Sequence, residues 1–223
     1  MLDTVAKPLG RGEIVMSEKR TLVATFGFDM DFVLRRISGR KYDRIILLSL
    51  KTPEGQKRVE KAYTTLKTVC ISMGVDCTLE WLTDKGLVRT IYSILSEETS
   101  KADVELYLTG GPRILVISAL TAALTLSNKQ AGKINIVVEG EAFEKTWEAP
   151  LKTLKKLVAL DEKSREILMH TAVLGRASLA ELARRLGLPK PTVLRRLREL
   201  MNEEVVCKVG DEYLLCSWID QLL

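Results

Sequence analysis

Histidine is nearly missing from this chain: His170 is the only imidazole in 223 residues. It falls on a helical stretch where packing is the favoured role, and no constellation for general acid/base work surrounds it, so no catalytic residue is assigned. Cysteine is scarce as well. Cys70, Cys77, Cys207 and Cys216 form no CxxC pair and no Cys/His cluster, which leaves no zinc site, no other metal site and no redox motif. Cys207 and Cys216 flank Gly210-Asp211, but a two-residue turn there sets Cys207 opposite Leu214. The two sulfurs are then only diagonal neighbours, and a disulfide is disfavoured. No apolar run reaches the ~18 residues of a membrane span, and the amino end lacks a signal-like apolar core, so a cytoplasmic protein with no membrane partner is expected. GxGxxG is absent after the first β-rich run and GxxxxGK[ST] is absent throughout. NAD and ATP therefore have no motif support, and no cofactor is expected.

What the chain does have is enough apolar content, 46%, to bury a large domain and a small one. Its formal charge of +5 is modest, and Leu151 to Leu223 carries 13 basic against 10 acidic residues. The basicity gathers in one segment and does not form a polybasic tail. Residues 1–20 show no periodicity and contain Pro8, Gly10 and Gly12, the pattern of a disordered or non-native leader. Arg11-Gly12-Glu13 can be encoded by a purine-rich stretch spaced like a ribosome-binding site before Met16, leaving both Met1 and Met16 as candidate starts.

The most legible stretch is Ser178 to Leu200, SLAELARRLGLPKPTVLRRLREL. Ser178 with Glu181 three residues on is a capping box, and Gly187 supplies the left-handed stop. Leu179, Leu182, Ala183 and Leu186 make one apolar stripe between them. Pro189 and Pro191 are tolerated only in a first helical turn, so a second helix begins there with Val193, Leu194, Leu197 and Leu200 inside. Two helices joined at a Gly turn make a helix-turn-helix. Outside lie Thr192, Arg195, Arg196 and Arg198, with Lys190 and Pro191 at the entrance and Ser178 at the first helix start. From Arg176 to Arg198 seven Lys or Arg stand against Glu181 alone. Such a face is either a solvated surface or a recognition helix, in which Arg pairs bidentately with guanine while flanking cations hold phosphates; the capped pattern favours double-stranded DNA. VVCKVGDEYLLC follows, a hairpin around Gly210-Asp211. Asp161 to Cys216 resembles a winged helix-turn-helix of the MarR or ArsR sort, and the resemblance implies that Lys208 and Gly210 lie near DNA.

From Thr21, β-rich runs near Thr21–Phe26, Arg44–Leu50, Cys77–Leu82, Val104–Leu108 and Ile134–Glu139 alternate with helical patterns over 29–38, 53–73, 84–98 and 112–127. This order predicts an α/β fold, a Rossmann-like, mostly parallel sheet over 21–140, before a linker at 141–160 and the winged helix-turn-helix at 161–223. Ligands in such sheets bind beyond the carboxyl ends of the strands. Two loops qualify, Thr25-Phe26-Gly27-Phe28-Asp29 and Thr109-Gly110-Gly111-Pro112-Arg113. The glycines let backbone approach a ligand, Pro112 suits a first helical position, and Arg113 puts a guanidinium at a helix amino end.

A strand-GGxR-helix loop in a Rossmann-like domain, followed by a winged helix-turn-helix, resembles the archaeal CRISPR-associated transcriptional regulators with a CARF domain, the Csa3-like family. Gly110, Gly111 and Arg113 match that family's second motif, while Thr25, Gly27, Phe28 and Asp29 lie in its variable first loop. The resemblance implies a homodimer whose loops enclose a cyclic oligoadenylate effector, with cyclic tetra-adenylate favoured, on the axis shared with palindromic DNA half-sites. It also implies two alternatives: a slow ring nuclease that cleaves the ligand, and a constitutive DNA binder using CARF only to dimerise. In 141–160, Phe143 and Trp147 are expected to dock the extended part. Leu151, Leu154, Leu157, Val158 and Leu160 suit either packing across the dimer or a plain interdomain linker.

Overall fold

Strands such as LVAT and IILLSL are nearly continuous apolar runs, broken only by buried Thr25 and Ser49, because helices cover both faces of the sheet they form. The computed structural model describes residues 19–140, 146–216 and 219; residues 1–18 of the expected leader and Phe143 lie outside them, while Arg20, counted with the leader, already opens the first strand. The first domain runs β1 (Arg20–Thr25), α1 (Asp31–Gly39), β2 (Arg44–Leu50), α2 (Gln56–Ser72), β3 (Asp76–Leu82), α3 (Leu87–Lys101), β4 (Asp103–Tyr107), α4 (Arg113–Thr125), α5 (Asn128–Ala131), β5 (Ile134–Glu139) and β6 (Thr146–Pro150). The helix expected from Asp84 begins at Leu87 instead, because Gly86 before it takes a left-handed conformation with φ 71°. Strand order is β3-β2-β1-β4-β5-β6, parallel except for β6. One face buries Val33 and Ile37 of α1 with Val59, Ala62 and Leu66 of α2; the other buries Ile91 and Leu95 of α3 with Leu115, Ala119 and Ala122 of α4. From β1 the chain winds outward through β2 and β3, then returns to add β4 on the other side. The loops after β1 and β4 therefore leave the same edge side by side, at the topological switch point.

The stretch read as a linker does more than link. Its β6 pairs antiparallel with β5, with Trp147 half-buried on the core, and α6 (Leu151–Val158) follows directly. The second domain then runs α7 (Glu162–Leu174), β7 (Ala177–Ser178), α8 (Leu179–Leu186), α9 (Lys190–Asn202), β8 (Val206–Val209) and β9 (Glu212–Leu215). Its small core gathers Ile167, Leu182, Val193, Leu197, Leu200 and Tyr213. Ser178 caps α8 by accepting from the Glu181 amide at 3.2 Å, and Gly187 ends the helix at φ 62°. Only this half of the capping box forms as expected: Ser178 is paired with Glu212 across the β7–β9 ladder, and the Glu181 carboxylate turns to Arg185, 3.6 Å away.

The hairpin has the expected register, with Cys207 opposite Leu214 and Val209 opposite Glu212. The expectation of no disulfide is nevertheless wrong, since Cys207 and Cys216 are bonded across that diagonal. Cys216 lies one residue beyond β9, where its amide donates to the Val205 carbonyl at 3.1 Å, and the Cα atoms come within 5.3 Å. That spacing lies inside the range a disulfide spans, because strand twist shortens one diagonal of a two-stranded ladder.

Candidate ligand and nucleic-acid sites

At the upper edge of the sheet the two loops pack backbone on backbone. A Cβ on Gly110 would sit 2.8 Å from the Thr25 carbonyl oxygen, and one on Gly27 would sit 3.1 Å from the Gly111 Cα. Gly111 adopts φ 81° with the Phe26 carbonyl oxygen 3.0 Å from where its Cβ would be. These glycines are thus required by the meeting of the loops, before any ligand arrives. Thr25 is fully buried and donates to the Tyr107 carbonyl at 3.4 Å, so it pegs β1 to β4 with its side chain inward. Thr109 accepts from the Glu139 amide at 2.9 Å and ties the second loop to β5. Tyr107 beneath is fully buried; burial, reinforced by Glu139, pushes its pKa well up, so its hydroxyl stays protonated. What the loops leave exposed is Phe28, Asp29, Gly111, Pro112 and Arg113.

The helices leaving these loops differ at their amino ends. Asp29 accepts from the Asp31 amide at 2.9 Å, filling with its own carboxylate the place an anion would take on α1. Among the described residues no side chain caps α4, where Pro112 holds extended backbone and Arg113 opens the helix. The α4 surface also exposes Ile114 (60%) and Ile117 (63%). Ile114, Leu87, Val88 and Tyr92 line a groove of about 1050 Å³ between α3 and α4.

In the second domain, Lys190, Pro191, Arg195 and Arg198 stand exposed along α9, and Thr192 is half-buried at its start. Arg195 keeps only a loose contact with Glu199, at 3.9 Å. Arg196 is differently placed from the outward position expected of it. It pairs with Asp161 at 3.0 Å and Glu199 at 2.9 Å with 23% of its side chain exposed, pinning α9 to the cap of α7. Its face is turned toward α7 because the helical step from Arg195 rotates it by about 100°. On the hairpin, exposed Lys208 lies over the Tyr213 ring at 5.7 Å, and Gly210 takes φ 61° at the tip beside Asp211. His170 is half-buried on α7.

Between the two domains, α6 faces both ways. Leu151 is fully buried with the sheet core and Leu154 packs against it, while Leu157 and Leu160 pack on the winged core; Val158 is exposed. These leucines are thus used within the chain. The Lys155 ammonium donates to the Leu126 carbonyl, which caps the far end of α4. The next residue, Lys156, forms an ion pair with Glu203 at the carboxyl cap of α9. Adjacent lysines thereby hold the ends of the two helices that begin at the candidate sites. Sequence reading missed both, since a lysine on an amphipathic helix looks like any solvated one.

A Rossmann-like domain joined to a winged helix-turn-helix with a cationic helix defines a two-domain DNA-binding protein. The Csa3 CRISPR-associated Rossmann-like domain matches residues 20–148, more than half of the chain, and a winged helix-turn-helix DNA-binding domain matches residues 160–206. The chain belongs to the Csa3 CRISPR-associated family. No curated protein matches it. Among solved structures, it is similar to Can2 from Sulfobacillus thermosulfidooxidans in complex with cyclic tetra-adenylate, at 13% identity and a TM-score of 0.44. That similarity covers 91% of this chain and 61% of Can2, so the chain spans about three fifths of Can2's length. Among the described residues no helix is long and apolar enough to cross a membrane.

Proposed function

We propose that this protein is a ligand-responsive transcription regulator of a CRISPR–Cas system, a homodimer that binds a cyclic oligoadenylate at the paired upper loops and double-stranded DNA through α9 and the wing. The effector class follows from the resemblance carried by Gly110, Gly111 and Arg113, with cyclic tetra-adenylate as the favoured ring. The uncapped amino end of α4 and the exposed Arg113 suit its phosphates. Exposed Ile114 and Ile117 suit burial against a second copy, which would bring two such helix ends to one axis.

The observation that carries the regulator reading, over a dimerisation module beside an independent DNA binder, is the pair of contacts from α6. Through Lys155 it holds the end of α4, and through Lys156 the end of α9. A ligand that shifts α4 then shifts the recognition helices relative to half-sites spaced by ~34 Å. DNA titrations with and without saturating cyclic tetra-adenylate, at one ionic strength, test it. The affinity should change, and operator DNA should change ligand affinity by the same factor. Superimposable curves would sink the regulator reading, and recovery of linear product from the bound ligand would move the assignment to a ring nuclease.

A further inference from the structure

The groove between the β1–α1 loop and α2 presents an aromatic ring and two cations. Phe26, on the same loop, is fully buried, as an aromatic at a strand end should be; Phe28 two residues later is 57% exposed. The Arg58 guanidinium lies 3.8 Å from the centre of the Phe28 ring. Arg58, Lys61, Ala62 and Thr65 fall on one stripe of α2, and with Phe28 and Met30 they line a space of about 370 Å³. That lining carries two positive charges and no carboxylate. An exposed ring already covered in part by a guanidinium is a stacking platform, because both groups offer flat, polarisable faces to a third flat group. The platform also belongs to the loop-pair site: Phe28 directly follows Gly27, which meets Gly111 two residues before Arg113.

We propose that Phe28, Arg58 and Lys61 form a nucleotide subsite, in which a purine base of the ligand stacks against Phe28 and Arg58 while an adjoining phosphate pairs with the α2 cations. The subsite rests on the oligoadenylate reading above and names the side chains that hold the base. Arg113 and the end of α4 would then serve the ring's phosphates, whereas the α2 groove would distinguish adenine from a smaller pyrimidine by stacking area.

Calorimetric titration of the full chain with cyclic tetra-adenylate and cyclic tetra-uridylate tests this, alongside Phe28→Ala, Phe28→Trp, Arg58→Gln and Arg113→Ala. Phe28→Ala should weaken the adenylate by about tenfold or more, the scale of one lost base–aromatic stack, and narrow its advantage over the uridylate. Phe28→Trp should restore both. Arg58→Gln should weaken binding and flatten its salt dependence. Melting curves without ligand should match the parent, since both side chains are exposed. If Arg113→Ala loses affinity while Phe28→Ala and Arg58→Gln bind like the parent, the subsite is wrong and the oligoadenylate reading survives. No binding of cyclic tetra-adenylate by the parent overturns both.

Discussion

The two helices that leave the upper edge of the sheet, α1 and α4, are held in opposite ways. Charge grips α1. Buried Glu105 on β4 takes Arg36 at 2.5 Å, Arg40 at 3.2 Å and the Tyr42 hydroxyl at 2.6 Å, and Glu148 on β6 takes both arginines at 2.8 Å. By contrast, α4 meets the sheet through Leu115, Ala119, Ala122 and Ala123, small or apolar surfaces without directional bonds. Breaking the first arrangement strands buried charges, whereas small movements of the second cost only packing. Under the proposed function, the contrast marks α4 as the place where a ligand signal enters. The loop leading to α1 ends on a helix gripped by charge, and the loop leading to α4 ends on a helix held by apolar packing, whose far end is the one Lys155 holds.

The strongest way to break this comparison is to release the charge grip on α1. Glu105→Ala leaves buried Arg36 with Glu148 as its remaining carboxylate and takes the acceptor from the Tyr42 hydroxyl, and should destabilise the sheet domain by about 3 kcal/mol, read from chemical denaturation. Acid should act on the same network. Burial alone would raise the Glu148 pKa, but Arg36 and Arg40 outweigh it and hold the carboxyl below its ordinary range. A depressed folded pKa gives stability that is present above the unfolded value, near 4.3, and lost as pH falls through the folded one. The denaturation midpoint should therefore drop below about pH 4, and less so in Glu148→Gln.

Next in size is Gly110→Val, which forces a branched side chain to within 2.8 Å of the Thr25 carbonyl oxygen. Parting the loops should cost about 1–3 kcal/mol of stability and abolish ligand binding, while DNA affinity without ligand stays at the parent value. Lys155→Ala at the far end of α4 and Lys156→Ala at the end of α9 sharpen the comparison. Each should leave ligand and DNA affinities measured separately near the parent's and erase the coupling between them, typically about 1–3 kcal/mol. A coupling ratio that persists in the double variant would put the connection elsewhere.

The smallest pair lies on α9. Arg195→Ala should lose about 1–3 kcal/mol of discrimination between specific and scrambled duplexes in gel shifts at fixed salt. Its neighbour Arg196→Ala should keep that discrimination and instead lower stability by under about 1 kcal/mol, because Arg196 is committed to Asp161 and Glu199.

Sequence alone determined most features written in neighbouring residues, the Glu181 half of the capping box excepted. The helix-turn-helix was legible from Ser178, Gly187 and Pro189, the wing from Gly210-Asp211 down to its register, and the Rossmann-like sheet from alternating β-rich and helical runs. Periodicity, caps and turns act over a few positions, so the local string contains them. Tertiary structure alone decided what depends on distant partners. Arg36 finds Glu105 across 69 positions, Lys155 finds Leu126 across 29, and Gly27 meets Gly111 only because β1 and β4 are neighbours. It likewise turned Arg196 inward, joined Cys207 to Cys216 and gave the leucines of α6 to two cores within one chain. Charge pairs and glycine contacts carry no period, and which residue meets which is settled only when strand order and helix rotation bring their backbones together.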